Sequence, residues 1–152
     1  MNSSLNPRQA GFYIKLILNT IFKTHVSFDK AFKQVSIRYK IPRGRVKDLY
    51  RLAYYTVNYY YTLKWLSARF GYGGSIAGIV DFFSSIGFSI RRLIELVEEE
   101  ATELTNVRML SIKYSYPEYL IRDLMQHVDV EFVEKMLSSL NERKRWLRLN
   151  TL

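Results

Sequence analysis

Apolar side chains recur three and four residues apart along most of this chain, a spacing that admits helices far more readily than strands. Ala10, Ile14, Ile17, Leu18 and Ile21 form one stripe and leave Lys15 and Asn19 facing water. Phe28, Ala31, Phe32 and Val35 form a second. Ile41-Pro42 interrupts the pattern. Val46, Leu49, Tyr50, Ala53, Val57 and Tyr60 or Tyr61 then predict the buried side of one long helix reaching Leu66. Further helices are predicted around Ile76, Ile79, Val80, Phe83 and Ile86, and around Ile90, Leu93, Ile94, Val97, Ala101 and Leu104. A short one carries Leu120, Ile121 and Leu124, and a last one Phe132, Val133, Met136, Leu137 and Leu140.

Start and stop residues sharpen these bounds. Asn6 is placed to cap the first helix, Pro7 suits its first turn, and Gln9 stands at capping-box spacing. Ser27 and Ser89 precede two other stripes, and Ser115 with Glu118 repeats the capping-box spacing before a third. Gly71, Gly73 and Gly74 end the long helix. The expected fold is an all-α bundle of about seven or eight helices over residues 1–141. Beyond it, Arg143-Lys144-Arg145 leads into the alternating Trp146-Leu147-Arg148-Leu149-Asn150, which reads as a short strand or extended tail. A lone strand has no partner, so residues 142–152 are expected to be a linker and the start of a following, absent domain.

Several chemistries are excluded or disfavoured by residue type. The chain has no cysteine, hence no thiolate nucleophile, thiolate zinc site or disulfide. His25 and His127 lie far apart without acidic companions at metal-ligand spacing. The Gly71-Tyr72-Gly73-Gly74 loop lacks the Gly-Lys-Ser/Thr that a phosphate-binding loop needs, and reads as a turn. Glu95, Glu98, Glu99, Glu100 and Glu103 read as a solvated helix face rather than paired catalytic acids. No apolar run approaches the ~20 residues of a membrane span, and the N-terminus carries no export signal, so a cytoplasmic protein without a membrane partner is expected.

Charge points to a partner. Residues 1–74 hold 13 Lys and Arg against Asp29 and Asp48 alone, a net of +11, whereas residues 75–152 net −2. Within that half, Arg38, Lys40, Arg43, Arg45, Lys47 and Arg51 place six positive charges in fourteen positions against Asp48. Such density suits a phosphate backbone, because each neutralised phosphate releases counterions. Nearby Tyr54, Tyr55, Tyr59, Tyr60 and Tyr61 include candidates for stacking on unpaired bases, although several must be core.

Tyr114-Ser115-Tyr116-Pro117-Glu118-Tyr119-Leu120-Ile121, Leu140-Asn141-Glu142-Arg143 and Trp146-Leu147-Arg148-Leu149-Asn150-Thr151 resemble one known junction. It is the one between the N-terminal helical domain and the catalytic part of RNA cytosine-5 methyltransferases of the Nop/Sun (Fmu) family. Upstream, Arg8 and Ala10 before an apolar helix, and Arg43 and Arg45 before a long one, are similar to the NusB-like domain of many members. Tyr54-Tyr55-Thr56 departs from the small residue and glycine expected there.

The resemblance implies an RNA-binding NusB-like bundle in two packed halves, with Arg8 joining the basic cluster. The bundle would position tRNA or rRNA for an S-adenosylmethionine-dependent reaction carried out by a methyltransferase domain that follows in cis. This chain, lacking the cysteine and the cofactor domain, is expected to be non-catalytic and to hold no cofactor. The rival readings are a stand-alone NusB-like RNA-binding or antitermination-type factor and a protein docking domain. A DNA-binding factor lacks an evident recognition helix.

Overall fold

The computed structural model describes residues 5–141, and these form an all-helical bundle with no strand. The helices are α1 (Pro7–Thr24), α2 (Phe28–Arg38), α3 (Arg43–Asn58), α4 (Tyr60–Arg69), α5 (Ile76–Ser85), α6 (Ile90–Glu100), α7 (Asn106–Tyr114), α8 (Glu118–Leu124) and α9 (Val130–Asn141). The nine described helices exceed the seven traced along the sequence for two reasons. The predicted long helix divides at Tyr59, and α7 occupies a stretch whose apolar spacing is too irregular to announce it.

Local signals placed most of the starts. Asn6 Oδ1 accepts the Arg8 N–H at 2.9 Å, while Ser27 and Ser89 accept from Lys30 and Arg92. Gln9 behaves differently from the capping-box expectation: its side-chain oxygen accepts from Arg45 Nη1 at 3.0 Å, tying α1 to α3. Ala10, Ile14, Ile17 and Leu18 are buried as the stripe requires, and they share one large core with Ala31, Leu49, Leu63, Leu66, Phe83 and Leu93 from α2 to α6. Burying such side chains contributes about 1.5–3 kcal/mol each before entropy is subtracted.

The break at Tyr59 has an identifiable cause. Tyr61 and Thr62 lie at the start of α4, where backbone N–H groups lack partners within the helix. Ser115 Oγ, from the end of α7, accepts both, at 3.0 Å and 3.5 Å. In return the buried Thr62 hydroxyl donates to the Ile112 carbonyl. A side chain inserted into the hydrogen-bond ladder bends a helix, and here it separates α3 from α4. Ser115 is therefore not the N-cap of α8, as its spacing to Glu118 suggested. It is the left-handed C-cap of α7, at φ 63°, and Pro117 occupies the N-cap position of α8.

α7 belongs to two cores. Ile112 packs into the large one, whereas Leu110 joins Ile121, Val133 and Leu137 in a small one formed with α8 and α9. Lys113 and Tyr114 both reach Glu134 Oε1 at 3.0 Å, and Asn141 Nδ2 donates to the Tyr114 carbonyl at 2.8 Å, fastening α9 to α7. Phe132 and Leu140, assigned to the apolar side of the last helix, are 55% and 61% exposed. The predicted terminal strand lies outside the described residues. Among those residues no helix is long and apolar enough to cross a membrane.

Candidate nucleic-acid interface

The basic cluster is carried by one tight connection. α2 ends at Arg38, Tyr39 is its C-cap, and Lys40 takes a left-handed conformation at φ 48°. The Lys40 N–H bonds the Ile37 carbonyl at 3.2 Å and the Ile41 N–H bonds the Ser36 carbonyl at 3.1 Å. The buried Ile41 then anchors the turn from below. This is a Schellman closure, whose left-handed position usually holds glycine. A lysine there sacrifices about 1 kcal/mol of backbone energy.

Pro42 follows as the N-cap of α3, which has neither a side-chain capping bond nor an acid in its first turn. Arg43, Lys47 and Arg51 stand one turn apart on the side of α3 opposite the buried Leu49, Ala53 and Thr56. Positive charges at the positive end of a helix are locally unfavourable, by up to about 1 kcal/mol each. Arg45 departs from this outward row: half-buried, it turns to α1 and Gln9. Arg8 is exposed beside Gln9 and so borders the same region. Arg51 pairs with Asp48 at 3.6 Å; among the described residues Arg8, Arg38, Lys40, Arg43 and Lys47 form no ion pair.

Along α6 to α8 the bases are matched to acids, as is Arg69 of α4, whereas Lys23, Lys30, Lys33, Lys64 and Lys135 form no ion pair among the described residues. Arg69 pairs with Glu100, Arg91 with Glu95, Arg92 with Glu95 and Glu99, and Arg108 and Arg122 with Glu118. Bonds from Arg91 and then Arg92 hold the Glu95 carboxyl below its ordinary range, and those to Glu95 and Glu99 raise Arg92. The acidic run is thus largely an ion-paired outer face. No three His, Cys, Asp or Glu side chains gather as a metal set among the described residues. His25 is the exposed C-cap of α1, and His127 is likewise exposed.

The tyrosines divide. Tyr50 and Tyr54 lie parallel, with centroids 6.2 Å apart, within an aromatic group that includes Phe28 and Phe32. Tyr55, Tyr59 and Tyr60 are half-buried against the large core. Burial first, then neighbouring Tyr55 and Tyr116, pushes the Tyr59 hydroxyl above its ordinary pKa. Of the five nominated for stacking, Tyr61 is the exposed one, and it sits at the α4–α7 junction.

A different aromatic group adjoins the basic turn. Phe12, 53% exposed, and Tyr39, 38% exposed, meet edge to face with centroids 6.0 Å apart, and Tyr13 completes the group. The signals were in the sequence: Phe12 falls off the α1 apolar stripe, and Tyr39 stands between Arg38 and Lys40. Arg38 lies 5.9 Å from the Tyr39 ring centroid. With this geometry in view, the chain can be set beside known proteins: no protein family, curated protein or solved structure matches it.

Proposed function

We propose that this chain holds RNA through its α2–α3 turn, as the non-catalytic RNA-binding domain of an S-adenosylmethionine-dependent RNA cytosine-5 methyltransferase that acts on tRNA or rRNA. The observation that carries the RNA reading is the contrast in charge pairing. Arg8, Arg38, Lys40, Arg43 and Lys47 stand without carboxylates among the described residues, while the bases of α6 to α8 are largely matched. The unfavourable placement of Arg43 at the positive end of α3 adds support, since an anion would relieve the charge repulsion. The parent enzyme and its cofactor rest on the resemblance of the Tyr114–Ile121 and Leu140–Thr151 segments.

The test is titration of a fluorescent single-stranded RNA across a range of salt concentrations. Changing Arg38→Gln, Arg43→Gln and Lys47→Gln together removes three outward charges and spares the Arg45–Gln9 bond. Each lost phosphate contact flattens the salt slope by about 0.7, so the expected change is about two units. Exposed Glu98→Gln with Glu103→Gln is the control, with affinity equal or slightly tighter. Unchanged affinity and slope in the triple variant would overturn the assignment.

A second reading, a protein docking domain, draws on the other end of the molecule. Tyr119, Phe132 and Leu140 are 75%, 55% and 61% exposed around the small core. Such side chains suit a neighbouring domain or protein more than water.

A further inference from the structure

We infer that Phe12 and Tyr39 form a stacking platform for the bases of an unpaired strand, so that the basic turn takes single-stranded RNA in preference to duplex. This rests on the RNA-binding reading and specifies its ligand. Three observations combine. The first is exposure: two large aromatic side chains remain substantially in water beside a core that buries Phe82 and Phe83 almost completely. The second is rigidity. Phe12, Tyr13 and Tyr39 hold one another edge to face at 5.5, 6.0 and 6.2 Å between centroids, so a base finds a prearranged surface and little side-chain freedom is lost on binding.

The third is the charge around the rings. Arg38 lies against Tyr39, and Arg8 stands one helical turn before Phe12 on the same side of α1. Arg45 is held at Gln9, one turn before Tyr13. A hollow of about 610 Å³ opens beside Phe12, lined in part by Arg8, Lys15, Asp81 and Ser84. Its one acid, Asp81, is paired with Lys15 at 2.6 Å, so the local field stays positive through Arg8. Cations beside exposed aromatic side chains are the combination that single strands use: phosphates meet the guanidinium groups and bases meet the rings. A continuous duplex turns its base faces inward and offers the rings nothing.

The experiment compares three probes: a single-stranded RNA ten nucleotides long, an abasic strand of the same length, and a blunt duplex. The wild-type chain is expected to bind the single strand about tenfold or more tighter than the abasic strand. Phe12→Leu with Tyr39→Leu is expected to lose about tenfold to a hundredfold in single-strand affinity. Its salt slope and its affinity for the abasic strand and the duplex should not change. Phe12→Tyr, which keeps the ring, should retain binding, and melting temperatures of all variants report their folding. Equal wild-type affinity for single and abasic strands would overturn the platform, even if the leucine variant failed to fold. So would unchanged single-strand binding by a folded leucine variant, while a flattened slope in the Arg38, Arg43 and Lys47 variant would still support RNA binding. Failure of the wild-type chain to bind any of the three probes would overturn both.

Discussion

Ser115 Oγ accepts the Tyr61 backbone N–H at 3.0 Å across 54 positions of sequence, and so caps α4 from the end of α7. Thr62 returns the bond to the Ile112 carbonyl, and both hydroxyl-bearing residues are buried. The pair joins the helix entering the large core to the helix shared with the small one. Ser115→Ala leaves the part-buried Tyr61 N–H and the buried Thr62 N–H without that partner. An unsatisfied buried group costs about 1–3 kcal/mol. A lower melting temperature and faster amide exchange at Tyr61 and Thr62 are expected; a melting temperature equal to that of the parent chain would refute the capping role.

Lys40 is expected to trade stability against binding. It occupies the left-handed closing position of α2, at φ 48°, where glycine is favoured. Lys40→Gly should therefore stabilise the fold by up to about 1 kcal/mol, while RNA affinity at low salt falls. Thermal melts and RNA titrations on the same preparation check both signs, and a destabilised variant with unchanged binding would contradict the argument.

Gly78 and Gly44 should respond oppositely to alanine. Glycine within a helix is normally disfavoured relative to alanine by up to about 1 kcal/mol. At Gly44 an added methyl meets nothing within 4 Å, so Gly44→Ala is expected to be neutral or stabilising. At Gly78 the added carbon would lie 2.1 Å from the Tyr72 carbonyl oxygen and 2.8 Å from that of Gly73. Gly78→Ala must therefore push the α4–α5 loop off the helix, at a cost of about 1–3 kcal/mol. Chemical denaturation of the two variants distinguishes them, and a Gly78→Ala protein as stable as the parent would show that this close approach does not matter.

The α7–α9 fastening predicts a pH window. Bonds from Lys113 and then Tyr114 hold the Glu134 carboxyl below its ordinary 4.5. Its contribution is thus present above the unfolded value and is lost as pH falls through the folded one. Partial burial is the largest single influence on Lys113 and lowers it, but the bonds and charges of Glu134 and Tyr114 together outweigh it and leave the ammonium above 10.5. That contribution is complete below 10.5 and lost as pH rises through the folded value. The fastening should hold between about pH 5 and pH 10. Glu134→Gln should flatten the loss of melting temperature on the acid side, whereas identical pH profiles for variant and parent would count against it.

What was legible in the sequence was local. Ala10, Ile14, Ile17 and Leu18 recur at helical spacing and are buried; Asn6, Ser27 and Ser89 stand before such stripes and cap them. These signals act over three or four residues, the reach of one helical turn, so neighbouring sequence suffices to decide them. The basic turn was legible for the same reason, since Arg38 to Arg51 are clustered along the chain itself.

Partners distant in sequence were decided by tertiary packing. Gln9 has the spacing of a capping box, yet Arg45 of α3 takes its side-chain oxygen. Val46 to Leu66 has the spacing of one helix, yet Ser115 enters its ladder and α3 ends at Asn58. Phe12 lies off the α1 stripe, and only the packing of α2 against α1 places Tyr39 within 6.0 Å of it. Periodicity tells which face of a helix seeks burial; it does not tell which polar atom from another helix will arrive there. That choice follows from how the helices pack, because a buried donor must find whatever acceptor the packing places within reach.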